Sequence, residues 1–514
     1  MVLTAAIHEL EPCDEPMHRA LRRSALLLTF GLAGCHGTAT PPARPAADAE
    51  AARIARVESG LLRVNVVRSE PSRMELRQRM DDYNVPAVSV AVFDSTGILW
   101  ARAWGEAAPG VPADTATLFQ AASISKPVAA AGALRLVERG VLDLDGDVNA
   151  RLESWRVPEG AQTADARVTL RRLLSHTAGT TVHGFPGYAA GAPLPTAVQV
   201  LEGAGPANTD PVVVDTLPGS GFRYSGGGYT IAQQLMVDVT DRPFPELMRE
   251  LVLEPAGMRH STYAQPLPAA LATRAAVAHG PRGEPIAGRW HAYPEMAAAG
   301  LWTTPSDLAR FALAITRAYR GEATTGLLAP ATVRTMTTAV DAEAGYGLGF
   351  GLEATADGDL WIVHGGSNEG FEAYFATLAG GRGAVIMTNG ANGHPLAMEV
   401  MRAIAAEYDL PGFRPNLRDA IAVEPARLAA IAGEYHATLD DGPEVSLTLD
   451  VIDGHLAATV PIVRFFEMPL RASAPDTFFF LGAGGELTVE RDAAGAVEAV
   501  VVSGFGDPLR LERR

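Results

Sequence analysis

Lys126 is the only lysine among 514 residues, although lysine and arginine together number 42. The other 41 (42 less one) are arginine, so wherever a fixed positive charge was enough, arginine serves. Arginine keeps its proton, whereas a lysine amine gives it up once its surroundings lower its pKa. The lone lysine is therefore a candidate for work that needs a deprotonating amine. It stands three residues after Ser123, in Ser123-Ile124-Ser125-Lys126. Residues i and i+3 share a face of a helix, so this spacing sets an amine beside a hydroxyl. A serine hydroxyl is a weak nucleophile until a base lies within hydrogen-bond reach. The chemistry implied is attack on a carbonyl, with the first-turn backbone N–H of Ser123 free to hold an oxyanion.

Holding that pair requires a helix that opens at Ser123. The pattern is helical from there to about Arg139, with Val128, Leu134 and Val137 apolar and Gly140 as the stop. Ahead of it, residues 86–93 alternate as a strand, Ser95-Thr96-Gly97 turns, and residues 98–104 read as the hairpin partner. Helical stretches and Gly/Pro loops fill 150–345. Strand patterns return at 346–352, 360–363, 372–378 and 384–387, and residues 395–408 read as a closing helix. This order predicts an α+β fold, with early and late strands in one antiparallel sheet flanked by helices. Beyond Pro411 short strand patterns recur every 8–12 residues or so, which suits a small all-β barrel or sandwich. His436 and His455 read there as surface or turn histidines.

Composition narrows the function. Hydrophobic residues make up 47% and charged residues 20%, as in a soluble globular protein. A net charge of −17 without clustered arginine argues against nucleic-acid binding. Two cysteines, Cys13 and Cys35, make neither a disulfide framework nor a zinc site. The segment Asp143 to Asn149 fails as a calcium loop, because Val148 stands where glycine is needed. No metal and no organic cofactor is indicated.

The N-terminus reads as a secretory signal. A basic run from Met17 to Arg23 precedes an apolar stretch at 24–34, too short to span a bilayer. Acidic residues before Met17 are wrong for such a signal, so translation is expected to start at Met17. The stretch ends in Leu32-Ala33-Gly34-Cys35, which resembles the lipobox of bacterial lipoproteins. That resemblance implies lipid on Cys35 and a place in the cell envelope, facing the periplasm, with the lipid as the only membrane contact. The expected organisation is a signal at 1–35, an Ala/Pro-rich tether at 36–70, a first domain at 71–410, a linker at 411–424 and a β-domain at 425–514. Nothing indicates the oligomeric state.

Two further motifs follow Ser123-x-x-Lys126 in order: Tyr224-Ser225-Gly226 before a helix, and His364-Gly365-Gly366-Ser367 on a strand. Together the three resemble the serine β-lactamase-like hydrolases: class C β-lactamases, D-Ala-D-Ala carboxypeptidases, D-aminopeptidases and related esterases. The resemblance covers about residues 75–408. It implies a β-lactamase/transpeptidase-like sheet and, for 425–514, a lipocalin-like appendage of the kind some members carry, for which the resemblance allows a lid or substrate-gating role. It also implies roles. Ser123 attacks, and Lys126 and Tyr224 share the proton traffic. The N–H groups of Ser123 and Ser367 form the oxyanion hole, while Gly365 and Gly366 let a small-molecule or peptide substrate lie along the strand. His364 faces Tyr224 and the far end of the substrate, and Ser125 and Gly226 border the pocket. His176 and the Ser306-Asp307 pair read as turn and cap residues.

Two departures from the family pattern bear on substrate. Gly226 stands where the family has asparagine, so an amide that would hold a substrate carbonyl is missing. With no second lysine, the third motif lacks its fixed cation unless His364 is protonated or an arginine reaches in. The expected activity is envelope-anchored cleavage of an ester, amide or D-amino-acid peptide through an acyl-enzyme. The competing expectation is a catalytically weak, penicillin-binding-like sensor or ligand-binding protein.

Overall fold

The alternation near residue 86 forms strand Ala87–Asp94, which turns back into strand Gly97–Ala108. The computed structural model describes residues 44–322, 326–438, 444–461 and 465–514. The signal segment and Cys35 lie outside them. Ala87–Asp94 pairs antiparallel with Gly383–Thr388, far along the chain. Next come Phe371–Leu378, Leu360–Asn368 and, at the edge, Gly351–Ala354. With Val111–Pro112 at the opposite edge, these strands make one seven-stranded antiparallel sheet. The expected α+β arrangement is what forms.

The two-residue period of the strands sorts their side chains onto two faces. Val88, Val90 and Val92 join Ile54, Val57, Met80, Val400 and Ile404, from helices Arg44–Glu58, Leu76–Asp82 and Gly393–Tyr408. Ala87, Ala91 and Phe93 face the other way, with Phe371 and Phe375, into the larger core. That core also holds helices Ser125–Glu138, Gly226–Thr240 and Pro305–Tyr319. Both faces are covered, so the central strands carry nearly continuous apolar runs.

Three segments differ from expectation. From Arg44 on, the supposed tether is a helix whose Ile54 and Val57 are buried. Alanine favours helix, and the i, i+3 apolar pair gives that helix a face to bury. Asn65–Val67 then pairs in parallel with Asn416–Arg418, inside the stretch expected to be a linker. The strand expected over 346–352 begins only at Gly351. Gly345 and Gly349 sit at φ +57° and +94°, which turns 345–350 into a loop and aims Tyr346 elsewhere.

Residues 433–513 form a closed antiparallel barrel of eight strands, each paired with its neighbour in sequence. Closure is made by Tyr435 opposite Arg513 and His436 opposite Glu512. Tyr435, Leu447, Leu470, Phe478, Phe480, Val500 and Leu511 fill its core. The barrel meets the rest of the chain at Asn65, whose side-chain amide donates to the carbonyls of Phe480 at 2.7 Å and Ala483 at 2.8 Å. Arg471 pairs with Glu70 at 2.9 Å alongside. Among the described residues no helix is long and apolar enough to cross a membrane.

Candidate active site

Ser123 occupies a 3-10 turn, Ala122–Ile124, that runs straight into helix Ser125–Glu138. The helix is apolar on nearly every side, so it passes through the core rather than lying on it. Lys126, in its first turn, is thereby 2% exposed. Its Nζ lies 2.9 Å from Ser123 Oγ and donates to the Ala298 carbonyl at 2.9 Å. Burial disfavours the ammonium and brings its pKa from the ordinary 10.5 down to about 7. Ala122, just before Ser123, is held at φ +48°, a conformation a non-glycine residue adopts only under constraint.

Tyr224 precedes helix Gly226–Thr240. Ser225 caps that helix, accepting from Gly228 N–H at 3.0 Å and donating to the Thr181 carbonyl at 2.6 Å. The Tyr224 phenol lies beside the Ser123 hydroxyl, near enough for the two to influence each other. Lys126 Nζ sits 4.9 Å from the centre of its ring. Burial pushes the phenol well above its ordinary pKa of 10. At neutral pH the tyrosine is therefore a neutral donor, and the amine is the group with a lone pair to offer.

The third motif lies on strand Leu360–Asn368. Its edge neighbour, Gly351–Ala354, pairs with it only as far as Val363, so it does not cover the outer edge of 364–368. A Cβ at Gly366 would stand 2.2 Å from the Ala121 carbonyl, so only glycine lets the strand pass beside the Ser123 turn. A Cβ at Gly365 would meet nothing within 4 Å. Ser367 is exposed and donates through its hydroxyl to Glu372 at 2.6 Å.

His364 lies 6.4 Å from Tyr224 between ring centres, with both of its ring nitrogens engaged. Its Nδ1 is 2.6 Å from the Gly365 carbonyl, which can only accept, so Nδ1 carries the hydrogen. Nε2 then accepts from the Tyr346 hydroxyl at 3.0 Å. Burial, aided by the Lys126 charge, lowers its pKa to about 3, so it is neutral across the physiological range. It supplies no cation to replace the missing lysine. Tyr346 was not singled out from the sequence; its setting between Gly345 and Gly347 was the available signal.

Two of the expected pocket residues also lie elsewhere. Ser125 is fully buried, with its hydroxyl accepting from Leu301 N–H at 2.9 Å. It comes two residues after Ser123, which sends it to the far side of the turn. Gly226 is buried, and a Cβ there would meet the Phe185 ring at 2.9 Å and the His183 carbonyl at 3.2 Å. Phe185 thus fills the space an asparagine would have entered. Asp307 has the structural place expected, accepting from His260 N–H at 2.7 Å and the Ser261 hydroxyl at 2.8 Å. His176, expected to be a turn residue, lies against Tyr224 with ring centres 4.1 Å apart.

Behind Lys126 sits another ionisable group. Glu295 stands just ahead of the short helix Met296–Ala299, which carries the carbonyl that Lys126 meets, and its side chain does not cap it. Its carboxyl is fully buried beside Tyr188, without a hydrogen bond of ordinary geometry, and burial raises its pKa from 4.5 to about 7. An acid whose folded pKa lies above its unfolded one costs stability as pH climbs between the two, because the unfolded chain releases its proton first. Over this interval the cost is about 3 kcal/mol. Glu295→Gln should therefore raise the urea midpoint at pH 8 and leave it little changed at pH 4. Equal midpoints at pH 8 would contradict a buried neutral carboxyl.

The model of the beta-lactamase family matches residues 74–408. Esterase EstB from Burkholderia gladioli is 32% identical over 186 residues, 32% of this chain and 43% of that protein. Protein Rv1367c from Mycobacterium tuberculosis is 29% identical over 262 residues, 45% of this chain and 61% of that protein. The chain thus spans less than two thirds of the length of either. Penicillin-binding protein 4 from Amycolatopsis lactamdurans is 27% identical over 374 residues, 69% of this chain and 94% of that protein. Among solved structures, SurE superposes with a TM-score of 0.55 at 21% identity, covering 91% of this chain and 100% of that one. The octameric penicillin-binding protein homologue from Pyrococcus abyssi gives 0.54 at 19% identity, covering 85% and 98%. At these identities the two structures speak to the fold.

Proposed function

The chain belongs to the beta-lactamase family, and from that premise we propose that it is a serine hydrolase that forms an acyl-enzyme on Ser123. The observation that carries this reading is the approach of Lys126 Nζ to within 2.9 Å of Ser123 Oγ, in surroundings that bring the amine's pKa to about 7. As Ser123 Oγ attacks the substrate carbonyl, its proton passes to the neutral amine. Tyr224, itself neutral, relays a proton from Lys126 to the departing oxygen or nitrogen. The backbone N–H groups of Ser123 and Ser367 receive the negative charge on the tetrahedral oxygen. Water then attacks the acyl-enzyme, giving its proton back through the same two groups and releasing Ser123.

The substrate lies along the outer edge of 364–368, where Gly365 leaves room for it. His364 is neutral and engaged with Tyr346, so it has no charge for a substrate carboxylate. Phe185 fills the place of an amide side chain at 226. Both features favour an ester, with amides and D-amino-acid peptides next and β-lactams last. Attachment to the envelope by lipid on Cys35 belongs to the same reading and rests on the sequence of residues 17–35.

The test uses a soluble form beginning after Cys35, treated with a serine-reactive fluorophosphonate and read by intact mass. One adduct is expected on the wild type and none on Ser123→Ala, with repeated turnover of p-nitrophenyl esters. An adduct with a single burst and no steady state would favour the sensor instead. The absence of both adduct and turnover would count against the hydrolase.

A further inference from the structure

Tyr224 lies in the loop ahead of helix Gly226–Thr240, yet to relay a proton its hydroxyl must stay beside Ser123. His176 meets the chain on both sides of it. The His176 carbonyl accepts from Arg223 N–H at 2.7 Å. The His176 Nδ1 accepts from Ser225 N–H at 3.0 Å. Between these two bonds the imidazole lies on the Tyr224 ring, 4.1 Å between centres and tilted by 31°. With Nδ1 accepting, the hydrogen is on Nε2, and Nε2 is buried with no hydrogen-bond partner. Around it are the rings of Tyr346, Tyr229 and Phe222, at 5.1, 5.3 and 5.8 Å between centres.

This placement is costly. His176 is 2% exposed and adopts φ +60°, where asparagine or glycine would turn the chain with less strain. An unpaired buried N–H adds to the cost. A residue kept only to make the turn would not need an imidazole. What the imidazole supplies is an acceptor for Ser225 and a flat face for Tyr224, without charge.

We propose that His176 is the positioning residue for Tyr224, fixing the backbone on either side of it and the plane of its ring so that the phenol is held beside Ser123. The proposal rests on the reading of Tyr224 as the proton relay. His183 lies near Tyr224 from another direction, its ring centre 4.9 Å away, and its carbonyl accepts from Gly226 N–H at 2.9 Å. Being exposed, it is the lesser restraint.

Three variants separate the two contributions. His176→Asn keeps an acceptor near the place of Nδ1 and suits φ +60°, but removes the ring. His176→Phe keeps the ring and removes the acceptor. His176→Ala removes both. Each is followed by kcat and KM on a p-nitrophenyl ester, by thermal unfolding, and by tyrosinate absorbance against pH with the Tyr224→Phe trace subtracted. His176→Ala should lower kcat by about 100-fold, as a misplaced catalytic group does, with KM little changed. The Asn variant should recover part of that loss. In the wild type Tyr224 should stay protonated at about pH 10, where free tyrosine titrates; in the Ala variant it should ionise near that value as water reaches it.

A folded His176→Ala protein with wild-type kcat and an unaltered Tyr224 titration would overturn the proposal. If that variant does not fold, full activity in both the Asn and Phe variants would overturn it. If the wild type turns over no ester and takes no fluorophosphonate, the hydrolase reading fails on its own. The Tyr224 titration then still decides whether His176 holds the ring.

Discussion

Lys126→Arg is expected to lower kcat by about 10²–10⁴-fold, the usual worth of a positioned general base, although the charge is kept. In the proposed mechanism the amine at 126 acts through its unprotonated form, and its low pKa puts that form in hand near neutral pH. A guanidinium stays protonated throughout the accessible range. In the wild type kcat/KM should rise with pH through about 7 and level off above it, because deprotonation creates the active base. The arginine variant should lack that limb. The measurements are pH–rate profiles on one ester and the rate of fluorophosphonate labelling. An arginine variant with the wild-type rate and limb would remove Lys126 from the mechanism.

Glu399→Ala is expected to destabilise the folded chain by about 3–5 kcal/mol, the cost of leaving a buried cation without its partner. Glu399 is 2% exposed and accepts two hydrogen bonds from Arg79, both at 2.9 Å, and one from Tyr83 at 2.9 Å. Arg79 is itself buried, and Arg402 is close by. The pair ties helix Leu76–Asp82 to helix Gly393–Tyr408 beneath the sheet. Asp82 also meets Arg79 but is largely exposed, so it cannot take over the buried role. Urea unfolding at pH 7 measures the effect. A loss below about 1 kcal/mol, the level of an exposed pair, would show that water reaches Arg79.

Much of the architecture was legible because its signals are local. The alternation at 86–93 needs only adjacent residues to specify a strand, and the barrel's strands pair with their neighbours in sequence. The pairings that were missed join distant segments through few residues. Asn65–Val67 and Asn416–Arg418 contribute three positions each, too short a run to carry a pattern. The helix at Arg44–Glu58 was hidden by its alanines, which suit a tether as well as a helix until there is a core to bury Ile54 and Val57.

The site divides along the same line. The sequence alone determined that Ser123 and Lys126 share a face, that Lys126 is unique, and that Tyr224 and His364-Gly365-Gly366 follow in order on the expected kinds of element. Chain connectivity and helical period are enough for that. Only the tertiary structure decided the protonation of these groups. Lys126 near 7, Tyr224 held neutral and His364 near 3 all follow from burial by residues remote in sequence. It likewise turned Ser125 inward, set Phe185 against Gly226, and brought His176 and Tyr346 beside the residues they touch. Desolvation and ring contact are properties of packed neighbours, and no spacing along the chain encodes them.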